Sequence, residues 1–107
     1  MTPIAPFVFP GLRSRVIFGA GTIARTGAEV ERLGHSRALV LSTPNQEADA
    51  YALADRLGPL AAGVFTEAAM HTPVEVTEKA LEVFRNTGAD CVVALGGGST
   101  TGLGKAI

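Results

Sequence analysis

Tryptophan is missing from this 107-residue chain, cysteine and tyrosine occur once each, and aromatic residues make up only 6% of it. A core here has to be built from aliphatic side chains. The lone Cys91 cannot form an internal disulfide, which fits a reducing, cytoplasmic setting. Its place inside the apolar run "CVVAL" marks it as a small, buried, inert thiol rather than a reactive one. With two histidines far apart in sequence, His35 and His71, it makes no cluster of metal ligands. An excess of one charge is lacking too. Nine basic and ten acidic residues are scattered to a net charge of −1, so neither a nucleic acid nor an anionic membrane is the default partner. No stretch approaches the roughly 18 apolar residues of a membrane span. The opening "MTPIAPFVFPGLRSR" has three prolines and no apolar segment behind a basic start, so it does not read as a signal peptide. There is no fixed-period repeat, low-complexity tract or internal linker.

What is present is 47% apolar and 18% charged, the profile of one globular domain with a modest core. Residues 1–14 read as extended and turn-rich because Pro3, Pro6 and Pro10 fix φ. "RVIF" (15–18) reads as a short strand. Thr22 then stands as N-cap of a helix with Ile23, Gly27, Val30 and Leu33 on one side, stopped by Gly34. "ALVLS" (38–42) has strand length, "TPNQ" turns the chain, and a helix from about Gln46 to Leu57 gathers Ala50, Leu53, Ala54 and Leu57 before Gly58 and Pro59 end it. "AAGVF" (61–65) is a further strand, weakened by Gly63. Thr72, Pro73 and Glu75 have the spacing of a capping box with proline at the first helical position. The helix behind them puts Val76, Ala80, Val83 and Phe84 on one face and closes at Gly88, and "CVVAL" (91–95) is the last strand. Apolar strands alternating with amphipathic helices of 10–15 residues predict an α/β domain, a parallel sheet with helices on both faces.

Two glycine-rich segments follow strands. "GAGTIA" (19–24) satisfies G-x-G-x-x-G/A, but the acid expected about 20 residues on is missing, since the next strand ends in Ser42, Thr43 and Pro44. A plain strand-to-helix turn and a phosphate contact both remain open for it. "GGGST" (96–100) is better placed, at the carboxyl end of the most hydrophobic strand, where open α/β sheets put their ligands. Residues without a Cβ let backbone N–H groups approach an anion, and Ser99 or Thr100 can cap the next helix, with Thr101 adding a hydroxyl. It is not a Walker A loop, because Ser99 stands at the first glycine position and Ala106 follows Lys105. The competing reading is a tight turn chosen for packing.

"GGGSTTGLGKAI" resembles the glycine motif of the maleylacetate reductase branch of the iron-containing alcohol dehydrogenase superfamily. The general pattern of that superfamily is G-G-G-S-x-x-D-x-A-K. Gly96, Gly97, Gly98, Ser99 and Lys105 match it, whereas Gly102 replaces the Asp and Gly104 the Ala, in the form associated with the reductase branch. "VIFGAGT", "VLSTP" and "HTPVEVTEKALE" resemble the same family in order and spacing, so the likeness spans nearly the whole chain.

The resemblance implies a Rossmann-like domain of the dehydroquinate synthase-like fold. Residues 1–107 would be part of an N-terminal NAD(P)-binding α/β domain, and the C-terminal helical domain would be absent from this chain. It implies that Gly97, Gly98 and Ser99 hold the cofactor pyrophosphate, that Gly96 sets the approach, and that Ser42, Thr43 and Pro44 flank the adenosine ribose. Family members that prefer NAD often carry an acid near that strand end, so its absence points to NADH or NADPH being accepted. The implied reaction is NAD(P)H-dependent reduction of maleylacetate to 3-oxoadipate in aromatic-compound degradation. It would use a small dicarboxylate substrate and no metal, in a homodimer. The catalytic residues would lie in the missing domain. His71 reads either as a surface or staple-position histidine or as a residue near cofactor or substrate, and Lys105 either as a solvated helix residue or as a cationic contributor to the cleft. The alternatives are a metal-dependent alcohol dehydrogenase of the same superfamily, disfavoured by Gly102, a nucleotide-binding module without catalysis, and a phosphate-binding domain without nicotinamide chemistry.

Overall fold

The computed structural model describes residues 21–69 and 73–107. The expectations for residues 1–14, "RVIF", Gly19, His71 and Thr72 lie outside the described residues. Among those described, three parallel strands form one sheet: β1 (Ala38–Leu41), β2 (Ala61–Phe65) and β3 (Cys91–Ala94), in the order β2-β1-β3. Four helices accompany them: α1 (Thr26–Arg32), α2 (Glu47–Leu57), α3 (Val74–Thr87) and α4 (Gly98–Ala106). The α/β alternation and the parallel sheet are therefore as the sequence predicts.

Every residue of β1 has no solvent exposure, because it is central in the sheet and covered above and below. Side chains alternate along a strand. Leu39 and Leu41 pack with Phe65, Ala68, Ala80 of α3 and Leu103 of α4, while Ala38 and Val40 pack with Ala50, Leu53 and Leu57 of α2. Helix α1 joins the α2 side, where Gly27 lies against Leu57 and Leu60. β3 differs from the expectation of a strand buried on both faces. It lies at one edge of the described sheet, and its residues are half-buried or, at Ala94, exposed. Cys91 is accordingly half-buried rather than buried.

The helix ends are partly as expected. Gly34, at φ 84, closes α1, with the amides of Gly34 and His35 donating to the carbonyls of Glu31 (2.9 Å) and Val30 (3.1 Å), the pair of bonds that satisfies orphan carbonyls at a helix end. Gly88 closes α3 in the same way. The helix starts depart from expectation. Thr22 caps nothing. Gly21 is the cap residue, and Thr22–Arg25 is a 3-10 turn ahead of α1. At three residues per turn the predicted apolar face loses phase. Val30 stays buried, but Ile23 is 45% and Leu33 68% exposed. Pro73 does not occupy the first turn of α3 as the capping box requires. Its ψ of 149 leaves it extended as the cap residue, so the helix begins at Val74, and the Pro73 carbonyl accepts from the Thr77 amide at 3.0 Å.

One side chain ties the amino ends of β1 and β3 together. Asp90 accepts the Ser36 amide on Oδ2 (3.0 Å) and the Arg37 amide on Oδ1 (3.1 Å), and the Arg37 guanidinium in turn donates to the Thr87 carbonyl at 2.7 Å. These amides, that of Ser36 first, hold the Asp90 carboxyl below its ordinary value. A depressed carboxyl stabilises the fold above the unfolded-state pKa and loses that contribution as pH falls through the folded one. Asp90→Ala is therefore expected to melt at a lower temperature than wild type at pH 7. Calorimetry should find the gap closing below about pH 4, where wild type protonates as well.

Candidate functional site

The position of the site follows from the strand order. β1 and β3 are neighbours in register, Leu41 beside Ala94, yet the chain leaving β1 enters α2 on one face while the chain leaving β3 enters α4 on the other. Two adjacent strands whose continuations part to opposite faces leave a crevice beyond their carboxyl ends, which is where doubly wound domains bind ligands. The Leu95 amide donates to the Leu41 carbonyl at 2.9 Å, which keeps the two strand ends side by side as they open.

The glycine loop lines one wall. Gly96 has φ 116, a backbone conformation that side chains rarely tolerate, and a Cβ on it would run into the Gln46 carboxamide. Gly97 and Gly98 differ: a Cβ on either would meet nothing within 4 Å. The chain has thus left open space above two successive backbone units. Gly97, not Ser99 or Thr100, is the cap residue of α4, and a glycine has no side chain with which to cap. The Thr100 hydroxyl instead donates to the Gly97 carbonyl at 2.9 Å. The leading amides of α4 precede the first intrahelical acceptor, and with the positive end of the helix dipole they suit an anion.

The other wall carries Ser42, Thr43 and Pro44, followed by a short 3-10 turn, Pro44–Gln46. Ser42 departs from its expected place beside a ligand. It is fully buried, its hydroxyl donates to the Thr43 carbonyl at 3.0 Å, its amide to Phe65, and its carbonyl accepts from Ala68. It shapes the loop from below. Thr43 is half-buried and Pro44 exposed, so these two border the crevice. Lys105 is exposed near the far end of α4, about 10 Å along the axis from Gly98 at 1.5 Å per residue. Of "GAGTIA", the described part is a turn: Gly21 at φ 77, with its carbonyl accepting from the Ala24 amide at 3.2 Å. A cavity of about 220 Å³ opens on the α2 side of Leu95, lined by Ile23, Ala52 and Leu53 with Asp49 and Arg56.

Sequence spacing missed two residues. Gln46 covers Gly96 from the opposite loop, a juxtaposition that no local pattern carries because it depends on β1 and β3 being neighbours. Asp90 carries no motif, and its role rests on backbone amides 53 and 54 residues away. The expectation of no ligand cluster also needs correction. His35, Asp90 and Cys91 bring donor atoms within 4.8 Å of one another at the amino edge of the sheet, because Asp90 draws the two segments together. Burial, followed by the hydrogen bond to Asp90 and its charge, pushes the Cys91 thiol up to about 11. At neutral pH it is protonated and unreactive, in keeping with its expected inertness.

The family model for iron-containing alcohol dehydrogenase matches residues 13–107. The chain belongs to the iron-containing alcohol dehydrogenase family. A maleylacetate reductase from Rhizobium sp. (strain MTP-10005) is 67% identical over 102 residues, covering 95% of this chain and 29% of that protein. The crystal structure of a maleylacetate reductase from Agrobacterium tumefaciens superposes with a TM-score of 0.88 at 66% identity, over 97% of this chain and 30% of that one. The iron-containing alcohol dehydrogenase of Corynebacterium glutamicum ATCC 13032 superposes with a TM-score of 0.78 at 34% identity, over 96% of this chain and 29% of that one. The chain thus spans about three tenths of the length of these relatives.

At Gly104, where the family pattern that the sequence resembles has Ala, a methyl group also fits. A Cβ there would make ordinary contacts of 3.5 Å with Val92 and 3.6 Å with Leu41. Gly104→Ala is expected to raise stability by roughly 0.5–1 kcal/mol through helix propensity. Gly96→Ala should lower it by at least about 1–2 kcal/mol through its positive φ. Urea denaturation of the two variants checks both signs.

Proposed function

We propose that the protein is an NAD(P)H-dependent oxidoreductase that reduces maleylacetate to 3-oxoadipate, with residues 1–107 forming part of its cofactor domain. The observation that carries this reading is the loop after β3. It combines open space over Gly97 and Gly98 with uncapped amides at the start of α4, at the parting of two strands, in a chain 67% identical to a maleylacetate reductase over 102 residues.

In this reading the amides of Gly98, Ser99 and Thr100 bind the pyrophosphate, and Gly97 admits it by lacking a Cβ. Gly96 turns the backbone so that those amides face the crevice. Thr43 and Pro44 border the adenosine ribose, and Ser42 supports them from below. When bound, the nicotinamide supplies the hydride for the carbon–carbon double bond, and the protein contributes binding, orientation and charge. The proton that completes the reduction and most contacts to the dianionic substrate are assigned to the rest of the longer protein. His71 stays a candidate near cofactor or substrate on its place in the sequence alone, in the stretch that follows "AAGVF". The distance of Lys105 from the loop assigns it a solvated or outer-cleft role. Catalysis without a metal, a cytoplasmic location and a homodimer complete the proposal.

The test uses the intact protein and a folded Gly97→Ala variant. Wild type is expected to oxidise NADH or NADPH in the presence of maleylacetate, to be indifferent to chelators, and to leave simple primary alcohols untouched. Activity on alcohols that depends on added iron would favour the metal-dependent branch. A methyl at Gly97 meets no protein atom, so Gly97→Ala should melt within a degree or two of wild type while its cofactor Kd rises about tenfold or more. An unchanged Kd would contradict the cradle.

A further inference from the structure

One side chain spans the crevice. Gln46 is half-buried at the end of the turn after β1, its backbone amide donating to the Thr43 carbonyl at 3.0 Å, and its carboxamide lies over the Cα of Gly96. A Cβ on Gly96 would stand 3.1 Å from Cδ and 3.3 Å from Nε2 of Gln46, and nearer still to Oε1. Among the described residues that carboxamide makes no hydrogen bond, so both its donor and its acceptor are unspent. It therefore sits between the strand end that faces the ribose in doubly wound domains and the loop that faces the pyrophosphate.

Charge makes this place decisive. A carboxylate beside the ribose accepts from a free 2′-hydroxyl and repels a 2′-phosphate. Ser42, Thr43 and Pro44 are all uncharged, and Ser42 is buried with its hydroxyl committed. Gln46 is the polar side chain of this loop that reaches the glycine loop. Its oxygen can accept from a hydroxyl, and its NH2 can donate to a phosphate oxygen. Neither interaction brings a charge that would exclude the other nucleotide.

We propose that Gln46 is a specificity-determining residue, whose neutral carboxamide held over Gly96 lets the site accept a ribose bearing either a 2′-hydroxyl or a 2′-phosphate. The inference rests on the cofactor reading above.

The experiment measures Kd for NADH and NADPH by cofactor fluorescence on the intact protein, with the melting temperature of each variant recorded. Gln46→Glu keeps length and shape and adds one charge. It should raise the Kd for NADPH about tenfold or more while changing that for NADH less than about threefold. Gln46→Met keeps the volume over Gly96 but removes donor and acceptor, and should weaken both nucleotides alike. Asn45→Asp puts the same charge on the exposed neighbour and should leave the ratio of the two constants unchanged. A Gln46→Glu ratio equal to that of wild type, an equal shift with Asn45→Asp, or a Gln46→Met variant that binds both as wild type does would each overturn the role of Gln46. A wild-type protein that binds neither nucleotide would overturn the cofactor reading itself, which separates the two failures.

Discussion

The four residues of β1 have no exposure, and that burial requires helices on both faces of one strand. Leu39 and Leu41 draw α3 and α4 to one side, and Ala38 and Val40 draw α2 to the other. Because β3 pairs with β1 while its helix lies on the face opposite α2, the two strands must part where they end. The crevice is thus a consequence of satisfying a single apolar strand on both sides. The site needs no special device to open it, only residues at the parting that suit a ligand.

Those residues divide the work. Gly96 is demanded by the backbone itself, through its positive φ and the side chain laid over it. A Cβ on Gly97 or Gly98 would meet no atom of the described residues within 4 Å. Gly104, part of the same glycine-rich stretch, answers to neither constraint, since a methyl there would simply fill a gap between Val92 and Leu41. Gly96 is thus required by the fold, Gly104 is not, and Gly97 and Gly98 leave room beside the crevice.

Much of this was legible in the sequence, for a physical reason. Unbroken apolar runs such as "ALVL" and "CVVA" specify parallel strands, fully buried only for the first, and Gly34, Gly58 and Gly88 stop the helices where they stand in the sequence. The glycine motif also lay where the topology needs it. What the text hid was set by long-range geometry or by a one-residue change of backbone. The start of α3 moved because Pro73 is extended, and α1 lost its predicted face because a tighter turn precedes it. Asp90 and Ser36 are 54 residues apart, so their bond has no local signature. Gln46 acquires meaning only once β1 and β3 are known to be neighbours. Ser42 has the right place along the chain for a ligand contact, yet its side chain points into the protein.

The central claim is that the loop after β3 is a pyrophosphate cradle, and a crystal structure of the intact protein with NADH or NADPH tests it most directly. The account predicts phosphate oxygens within about 3 Å of the amide nitrogens of Gly98, Ser99 or Thr100, with the cofactor passing over Gly97. A cofactor whose pyrophosphate lies away from this loop, with the space over Gly97 and Gly98 left to solvent, would contradict it.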